Sequence, residues 1–264
     1  MNRTRSEKKI WIITLIVLLL LIVLCVGYMI FRSASIKNDE EEYKNLASSV
    51  APNISSTEIT SPSHIDVELA DNPIDFDSLV EKNKDIYAWI YIPDTKVNYP
   101  VCQSSTDDNF YLDHDIYGNY SFPGAIYSQM CNSKTFNDRV TVLYGHNMAD
   151  NTMFGDIHKF GSEKFMNEHR YFYIYTPGHK LKYEAVSAYV YDDRHIMNSF
   201  DFSKNEVFQE YINSVLNPRS LTKCVREGAS IDINDNIVTL STCLDVGQGR
   251  FLLQGVLVED ELTK

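Results

Sequence analysis

An unbroken apolar run near the start of the chain constrains everything that follows it. Residues 10–31 contain no charged side chain and are dense in Leu, Ile and Val. As a helix with a rise of 1.5 Å per residue, this run spans roughly 30 Å, the thickness of the hydrocarbon core of a bilayer. We therefore expect a transmembrane helix over residues 10–31, with the rest of the chain folding on one side of a membrane.

The charges that flank the run predict its orientation. Four basic residues precede it, at positions 3, 5, 8 and 9, and two follow it, Arg32 and Lys37. Cytoplasmic flanks carry the excess of Lys and Arg, so residues 1–9 are expected in the cytoplasm and the remainder outside the cell. A cleaved signal peptide is the alternative, because Ser33-Ala34-Ser35 offers small residues for cleavage. The length of the run favours an uncleaved anchor, since the apolar part of a signal peptide usually has about 7–15 residues.

Charge and motif content exclude several classes of function. The first 32 residues carry a net charge of +4, which leaves −16 on residues 33–264 of a chain whose total is −12. A nucleic-acid backbone requires clustered Lys and Arg, so no nucleic acid is expected as a partner. The seven His residues show no metal-ligand spacing, and neither a phosphate-binding nor a dinucleotide-binding glycine motif is present. We predict no metal and no cofactor.

Composition divides the chain after the anchor into two parts. Residues 32–72 hold an acidic run at positions 39–42 and a Ser/Thr/Pro-rich stretch at 48–63, with few large apolar residues. Such a segment buries too little apolar surface to offset the entropy lost on ordering, which predicts an extracellular linker. Residues 73–264 have the composition of a folded domain and hold four of the five cysteines. Whether Cys102 and Cys131 form a disulfide stays open at this point.

The domain is expected to be mainly β. Short apolar or aromatic runs are separated by turn residues such as Pro177-Gly178, and a short helix is indicated near Phe76. Two further helical patches interrupt the strands, one at residues 153–160 and one at residues 207–216. This pattern predicts a β-barrel or sandwich with inserted helices. The expected strands are 87–92, 96–102, 124–129, 140–146, 171–176, 180–191, 236–243 and 251–259.

Three reactive side chains follow or begin strands of this domain. Cys243 ends the apolar run IVTLSTC, His146 ends VTVLYGH, and Arg250 begins the last strand. Strand ends hold side chains rigidly with their tips exposed. A cysteine attacks as the thiolate, which needs a base or a cation nearby, and an imidazole and a guanidinium supply these. On this pattern alone Cys243 is equally consistent with a buried structural cysteine.

The same segments resemble the sortase family, and class B sortases in particular. The resemblance rests on four blocks in the family's order: DFDSLVEKNKDIYAWIYIPDTKVNYPVCQ at residues 75–103, DNFYL at 108–112, LYGHNMADNTMFGDIHKF at 143–160, and TLSTC followed by Gly249-Arg250-Phe251. It covers the chain from about residue 73 to the end. One departure is the connection between Cys243 and Arg250, which is shorter than class B leads one to expect.

The resemblance implies an eight-stranded β-barrel, with an N-terminal helix and a helix inserted before the nucleophile strand, preceded by one transmembrane helix. It implies a cysteine transpeptidase that cleaves an NPxTx-like C-terminal sorting signal of secreted proteins and joins the acyl group to a peptidoglycan amine at the cell wall. By analogy Cys243 is the nucleophile, His146 the general acid and base, and Arg250 the stabiliser of substrate and oxyanion. Implied substrate contacts are Ser241, Thr242, Asp245, Asn109 and Leu112, although the two hydroxyls could serve only the barrel, and Asp245 is as consistent with a solvated loop acid.

Two other functions are compatible with parts of this pattern. A cysteine hydrolase would use the same three residues and let water resolve the acyl-enzyme. A non-enzymatic wall or adhesion module would keep the barrel and tolerate replacement of Cys243. The first differs from a transpeptidase in whether an added amine enters the product, and the second in whether Cys243 matters at all.

Overall fold

The structure, a computed structural model, describes residues 5–52, 54, 69–244 and 247–264, with the backbone alone at residues 5–10. It divides into two compact units, one ending at Glu42 and one comprising Tyr43–Lys264. The helices are α1 (Arg5–Val50), α2 (Phe76–Lys82), α3 (Glu163–Glu168), α4 (Ile196–Ser199) and α5 (Asn205–Leu216), with 3-10 helices at Phe110–Leu112 and Gly155–Gly161. The strands are β1 (Ile86–Tyr91), β2 (Asn98–Cys102), β3 (Ile126–Tyr127), β4 (Val140–Tyr144), β5 (Tyr171–Thr176), β6 (His179–Tyr191), β7 (Lys223–Val225), β8 (Ile237–Cys243) and β9 (Arg250–Leu262).

Helix α1 contains the apolar run. Within the described residues it is the one helix long and apolar enough to cross a membrane, judged by length and composition. Its side chains from Trp11 to Phe31 are exposed throughout, which suits a lipid-facing segment rather than a core helix. The structure thus contains the helix that the sequence predicts for an N-terminal anchor.

The predicted linker, residues 32–72, differs from expectation because it is helical up to Val50. Tyr43, Leu46 and Val50 lie on one face of the helix and are buried in the second unit. The Tyr43 hydroxyl donates a hydrogen bond to the carbonyl of Gly124 at 3.0 Å. Composition missed this packing because only a few side chains, at helical spacing, are responsible for it. Residues 53 and 55–68 of the linker lie outside the described part of the chain.

Eight strands close into a barrel, as the sequence predicted. Their order is β5-β1-β2-β3-β4-β8-β9-β6, and the pairing of β5 with β6 closes the ring. The pairs β2–β3 and β4–β8 are parallel, and the other pairs are antiparallel. A ninth strand, β7, was not predicted and pairs with β6 beside the ring. Strands β6 and β9 have 13 residues each and pair along the whole of β6, while β5 pairs with its first half and β7 with residues 187–189.

Helix α5 covers one face of the sheet formed by β4, β8 and β9. Its buried residues recur at helical spacing, as the apolar pattern predicted, and they pack with alternate residues of these strands such as Val140, Ile237 and Leu252. Beneath the helix, the fully buried Gln254 accepts a hydrogen bond from Thr239 at 2.7 Å and lies within bonding distance of Tyr211. The same strands present their remaining residues to the barrel interior.

Candidate active site

Strand register brings the predicted reactive residues to one place. Because side chains alternate along a strand, the face of β8 that α5 covers at Ile237 and Thr239 also carries Ser241 and Cys243. On the neighbouring strand β9, Arg250 is the register partner of Cys243. The pairing of β8 with β9 runs through seven residue pairs without a bulge, so this juxtaposition is fixed by the ladder.

Arg250 contacts the sulfur of Cys243 directly. Its Nη1 donates a hydrogen bond to Cys243 Sγ over 2.8 Å, and both side chains are partly buried. A cationic side chain in direct contact with the sulfur is one of the partners that a nucleophilic cysteine requires. Within the described residues the other guanidinium donors of Arg250 have no protein partner, so they remain available to an oxyanion or to a substrate carbonyl.

His146 lies at the same edge of the sheet. Strand β4 runs parallel to β8 with Tyr144 opposite Ser241, and His146 and Cys243 each follow two residues later. The backbone NH of Gly145 donates to the carbonyl of Ser241 at 3.2 Å, which extends the pairing by one further bond. No hydrogen bond joins the imidazole to Cys243 Sγ within residues 69–244.

The His146 ring is held in a defined orientation. Nε2 lies 2.8 Å from the carbonyl oxygen of Leu112, and the ring stacks on Phe122 with centroids 5.7 Å apart. A carbonyl only accepts, so Nε2 carries the proton and Nδ1 is the nitrogen that can take one up. Leu112, predicted as a substrate contact, thus touches the site through its backbone, and its side chain is exposed.

The remaining predicted substrate contacts have different placements. Ser241 shares the face of Cys243, whereas Thr242 points to the opposite face and is 1% exposed. Its hydroxyl has no hydrogen-bond partner among the described residues. The Thr242 side chain faces the barrel interior, and its contact with substrate stays a prediction. Asp245 lies outside the described residues. Asn109 lies in the connection between β2 and β3, where its Oδ1 accepts a hydrogen bond from Gln129.

Gln129 and His195 were not predicted, and they connect two segments. The Gln129 amide donates to Asn109 Oδ1 at 3.2 Å, while its oxygen accepts from Nε2 of His195. The other ring nitrogen of His195 accepts from the backbone NH of Asn198 and caps α4. This chain of bonds ties the segment before α5 to the connection that carries Asn109. Sequence spacing gives no signal for it, since its members are 66 and 20 residues apart.

Two tyrosines close to the site stay neutral. Burial raises the pKa of Tyr127 to about 12, with Arg250 opposing the shift and Cys243 adding to it. Burial likewise raises the pKa of Tyr144, whose hydroxyl has no partner among the described residues. Both rings, stacked 5.4 Å apart, therefore form an uncharged wall next to the thiol at physiological pH.

All five cysteines are free, and Cys102 is buried whereas Cys131 is exposed, so these two do not pair. Among the described residues no group of three or more His, Cys, Asp or Glu side chains could hold a metal ion. Among the described residues, Cys243 is the cysteine whose sulfur accepts a hydrogen bond from a cationic side chain.

Comparison with known proteins gives one consistent answer. A family model for the sortase domain matches residues 90–258, a stretch that includes Cys243, His146 and Arg250. Sortase B of Listeria monocytogenes is 31% identical over 183 residues, 68% of this chain and 72% of that protein. The X-ray structure of Clostridium perfringens sortase B matches with a TM-score of 0.63 at 31% identity, covering 70% of this chain and 100% of that one. A class B sortase of Streptococcus pyogenes involved in pilus biogenesis matches with a TM-score of 0.58 at 31% identity, over 70% and 98% of the two chains.

Proposed function

Because the chain belongs to the sortase family, class B, whose members are cysteine transpeptidases that anchor proteins to the cell wall, we propose that it uses Cys243 to cleave an NPxTx-like sorting signal and transfers the acyl group to a peptidoglycan amine. The observation that carries the assignment is the hydrogen bond of 2.8 Å between Arg250 Nη1 and Cys243 Sγ. It gives one cysteine of five the cationic partner that a nucleophilic thiolate requires.

In the first half-reaction the Cys243 thiolate attacks a backbone carbonyl carbon of the signal. A bond forms between sulfur and carbon, and the carbonyl oxygen takes up the negative charge, which the free donors of Arg250 stabilise. The peptide C–N bond then breaks, and the leaving amine takes a proton from His146, which received it from the thiol. The product is a thioester between the signal and Cys243.

In the second half-reaction an amine of the wall precursor resolves the thioester. The amine loses a proton to His146 and attacks the thioester carbon, the new amide forms, and Cys243 leaves as the thiolate. The orientation of His146 supports both roles, because the Leu112 carbonyl holds Nε2–H and leaves Nδ1 to exchange the proton. Ser241 shares the face of Cys243, and we place it and Asn109 along the bound signal.

The membrane orientation follows from the charge asymmetry of the N-terminus. We place residues 1–9 in the cytoplasm and the catalytic domain outside, because four basic residues precede the apolar run and two follow it. In a Cys243→Ala background, a membrane-impermeant maleimide is expected to label the exposed Cys131 on intact cells and to leave Cys131→Ser unlabelled. Labelling that requires lysis would place the domain inside.

The function is tested with quenched-fluorophore peptides of the NPxTx and LPxTG types, each with and without an added amine. The expected result is cleavage of an NPxTx peptide with incorporation of the amine. Neither Cys243→Ala nor Arg250→Ala should cleave the peptide or incorporate the amine. Cys131→Ala is the matched control, because it removes an exposed free cysteine that has no cationic partner among the described residues. Cleavage without incorporation indicates a hydrolase, and cleavage by Cys243→Ala refutes the nucleophile.

A further inference from the structure

Among the described strands, none pairs with the carbonyl group of Cys243 on the side where β4 ends. In the parallel pair β4–β8, the Ser241 carbonyl accepts from the NH of Gly145. Parallel ladders repeat every two residues, so the Cys243 carbonyl points to the same side and would accept from residue 147. The chain has turned away there, because Asn147 forms a bridge with Met153 instead. Cys243 is thus the last residue of β8, and the neighbouring strand β4 has already ended beside it.

The imidazole of His158 occupies the place of the missing donor. Nε2 of His158 lies 3.1 Å from the carbonyl oxygen of Cys243, 85 residues away in sequence. Because a carbonyl can only accept, the proton lies on Nε2. The ring also stacks on Phe251, at 4.4 Å between centroids and 20° between planes, and Phe251 is the register partner of Thr242.

The 3-10 helix Gly155–Gly161 holds His158 firmly. Its neighbours Ile157 and Phe160 are fully buried, while His158 itself is partly buried. The helix belongs to the segment that follows His146, so one stretch of chain supplies both imidazoles. His158 bonds the backbone of Cys243, while Arg250 bonds its sulfur.

We propose that His158 is a positioning residue for the transpeptidation reaction: its Nε2–H replaces the absent strand donor on the Cys243 carbonyl and so holds Sγ at Arg250. The proposal rests on the assignment of Cys243 as nucleophile. Strand ends that lose their ladder bonds open most readily, and the loop that follows Cys243 contains Gly247 and Gly249, both with positive φ. Fixing the carbonyl limits the rotation of this last residue.

The test compares two substitutions in the full-length enzyme in detergent micelles. His158→Phe keeps an aromatic ring against Phe251 and removes the donor, whereas His158→Gln restores an NH donor. A displacement of about 1 Å at a reacting group costs on the order of 100-fold in rate, so kcat of His158→Phe should fall by about that factor while KM changes little. His158→Gln should recover a large part of the loss. A merely structural role would lower the melting temperature and would not be rescued by a donor.

His169→Phe is the matched control. His169 also stacks on a phenylalanine, Phe165, at 3.8 Å, and also contacts a backbone carbonyl, but that carbonyl belongs to Phe165. Its kcat should equal that of the parent. Iodoacetamide alkylation in a Cys131→Ala background separates the two proposals. If alkylated enzyme still cleaves the peptide, Cys243 is not needed and the proposed function fails. If alkylation abolishes cleavage but His158→Phe keeps the parent's kcat, only the positioning role is overturned.

A measurement on the unmodified protein covers the case in which His158→Phe does not fold. Nitrogen-15 NMR at alkaline pH, where ordinary imidazoles are neutral, reports which ring nitrogen carries the proton. His158 is expected as the Nε2–H tautomer, with a bare Nδ1. The opposite tautomer cannot donate to the Cys243 carbonyl and would overturn the proposal.

Discussion

Replacement of Gly145 by alanine tests how the core positions the imidazole of His146, which we propose as the general acid and base. A Cβ at this position would lie 2.5 Å from Ile126 Cδ1 and 2.8 Å from Phe154 Cδ2, both in side chains with no exposed surface. Gly145 is absent from the positive-φ residues, so the cost is steric. Overpacking costs about 1–3 kcal/mol, and the lower entropy of the unfolded chain returns about 0.4–1 kcal/mol. The net loss is on the order of 1–2 kcal/mol, or roughly 2–8 °C in melting temperature.

A double-mutant cycle identifies the contact. Ile126→Val removes Cδ1, the atom nearest to the added methyl group, and alone it should cost about 0.5–1.5 kcal/mol. In the Gly145→Ala background that cost should be smaller by on the order of 0.5–1 kcal/mol, because the clash is relieved. Urea unfolding of the unit Tyr43–Lys264, followed by circular dichroism, measures all four free energies.

The activity of Gly145→Ala should fall as well. His146 is the next residue, and a shift of about 1 Å in its ring lowers kcat on the order of 100-fold. Strictly additive costs in the cycle would show that Ile126 is not the obstructing group. A Gly145→Ala enzyme with the parent's stability and kcat would refute the whole account of this glycine.

Three further outcomes are expected. Arg250→Lys should lower kcat/KM about 100- to 1000-fold in the peptide assay, because a single ammonium cannot replace the planar fork; a parental value would contradict this. A fragment of residues 73–264 lacks the buried side chains of α1, so its urea midpoint should be lower than that of residues 43–264. Its free energy of unfolding should be lower by several kcal/mol as an upper estimate. Equal midpoints would show that these side chains are dispensable. Tyr127 should titrate near pH 12 by ultraviolet absorbance rather than at its ordinary pKa of 10. Since its pKa is raised in the folded state, its contribution to stability is complete below pH 10 and is lost as the pH rises through about 12, and Tyr127→Phe should remove that part of the loss.

The barrel could be predicted because the apolar or aromatic run that marks each predicted strand lies within that strand's own sequence. Strand β5 was predicted with its observed bounds, Tyr171–Thr176. Strand β3 was predicted over residues 124–129 but forms a strand only at Ile126–Tyr127, where it pairs with β2 and β4. Strand β7 has three residues, too few to show alternation, and it exists because β6 offers a free edge there.

The site could be predicted in part for the same reason. Cys243, His146 and Arg250 stand at strand ends, which local pattern can locate, and register then brings the cysteine and the arginine together. His158 and Gln129 act through groups 85 and 66 residues away, and no spacing rule encodes such contacts. Thr242 follows Ser241 directly in sequence, but strand neighbours point in opposite directions, so the two side chains lie on different faces of β8.

The unbroken ladder of β8 and β9 has an evolutionary consequence. Seven residue pairs set Cys243 opposite Arg250, and none of them lies in the connecting loop. The register that places Cys243 opposite Arg250 therefore does not depend on the length of that loop. In this chain the loop is short and the 2.8 Å contact is nevertheless present. The length of the connecting loop can therefore differ between chains that keep this ladder, while the cysteine stays paired with the arginine.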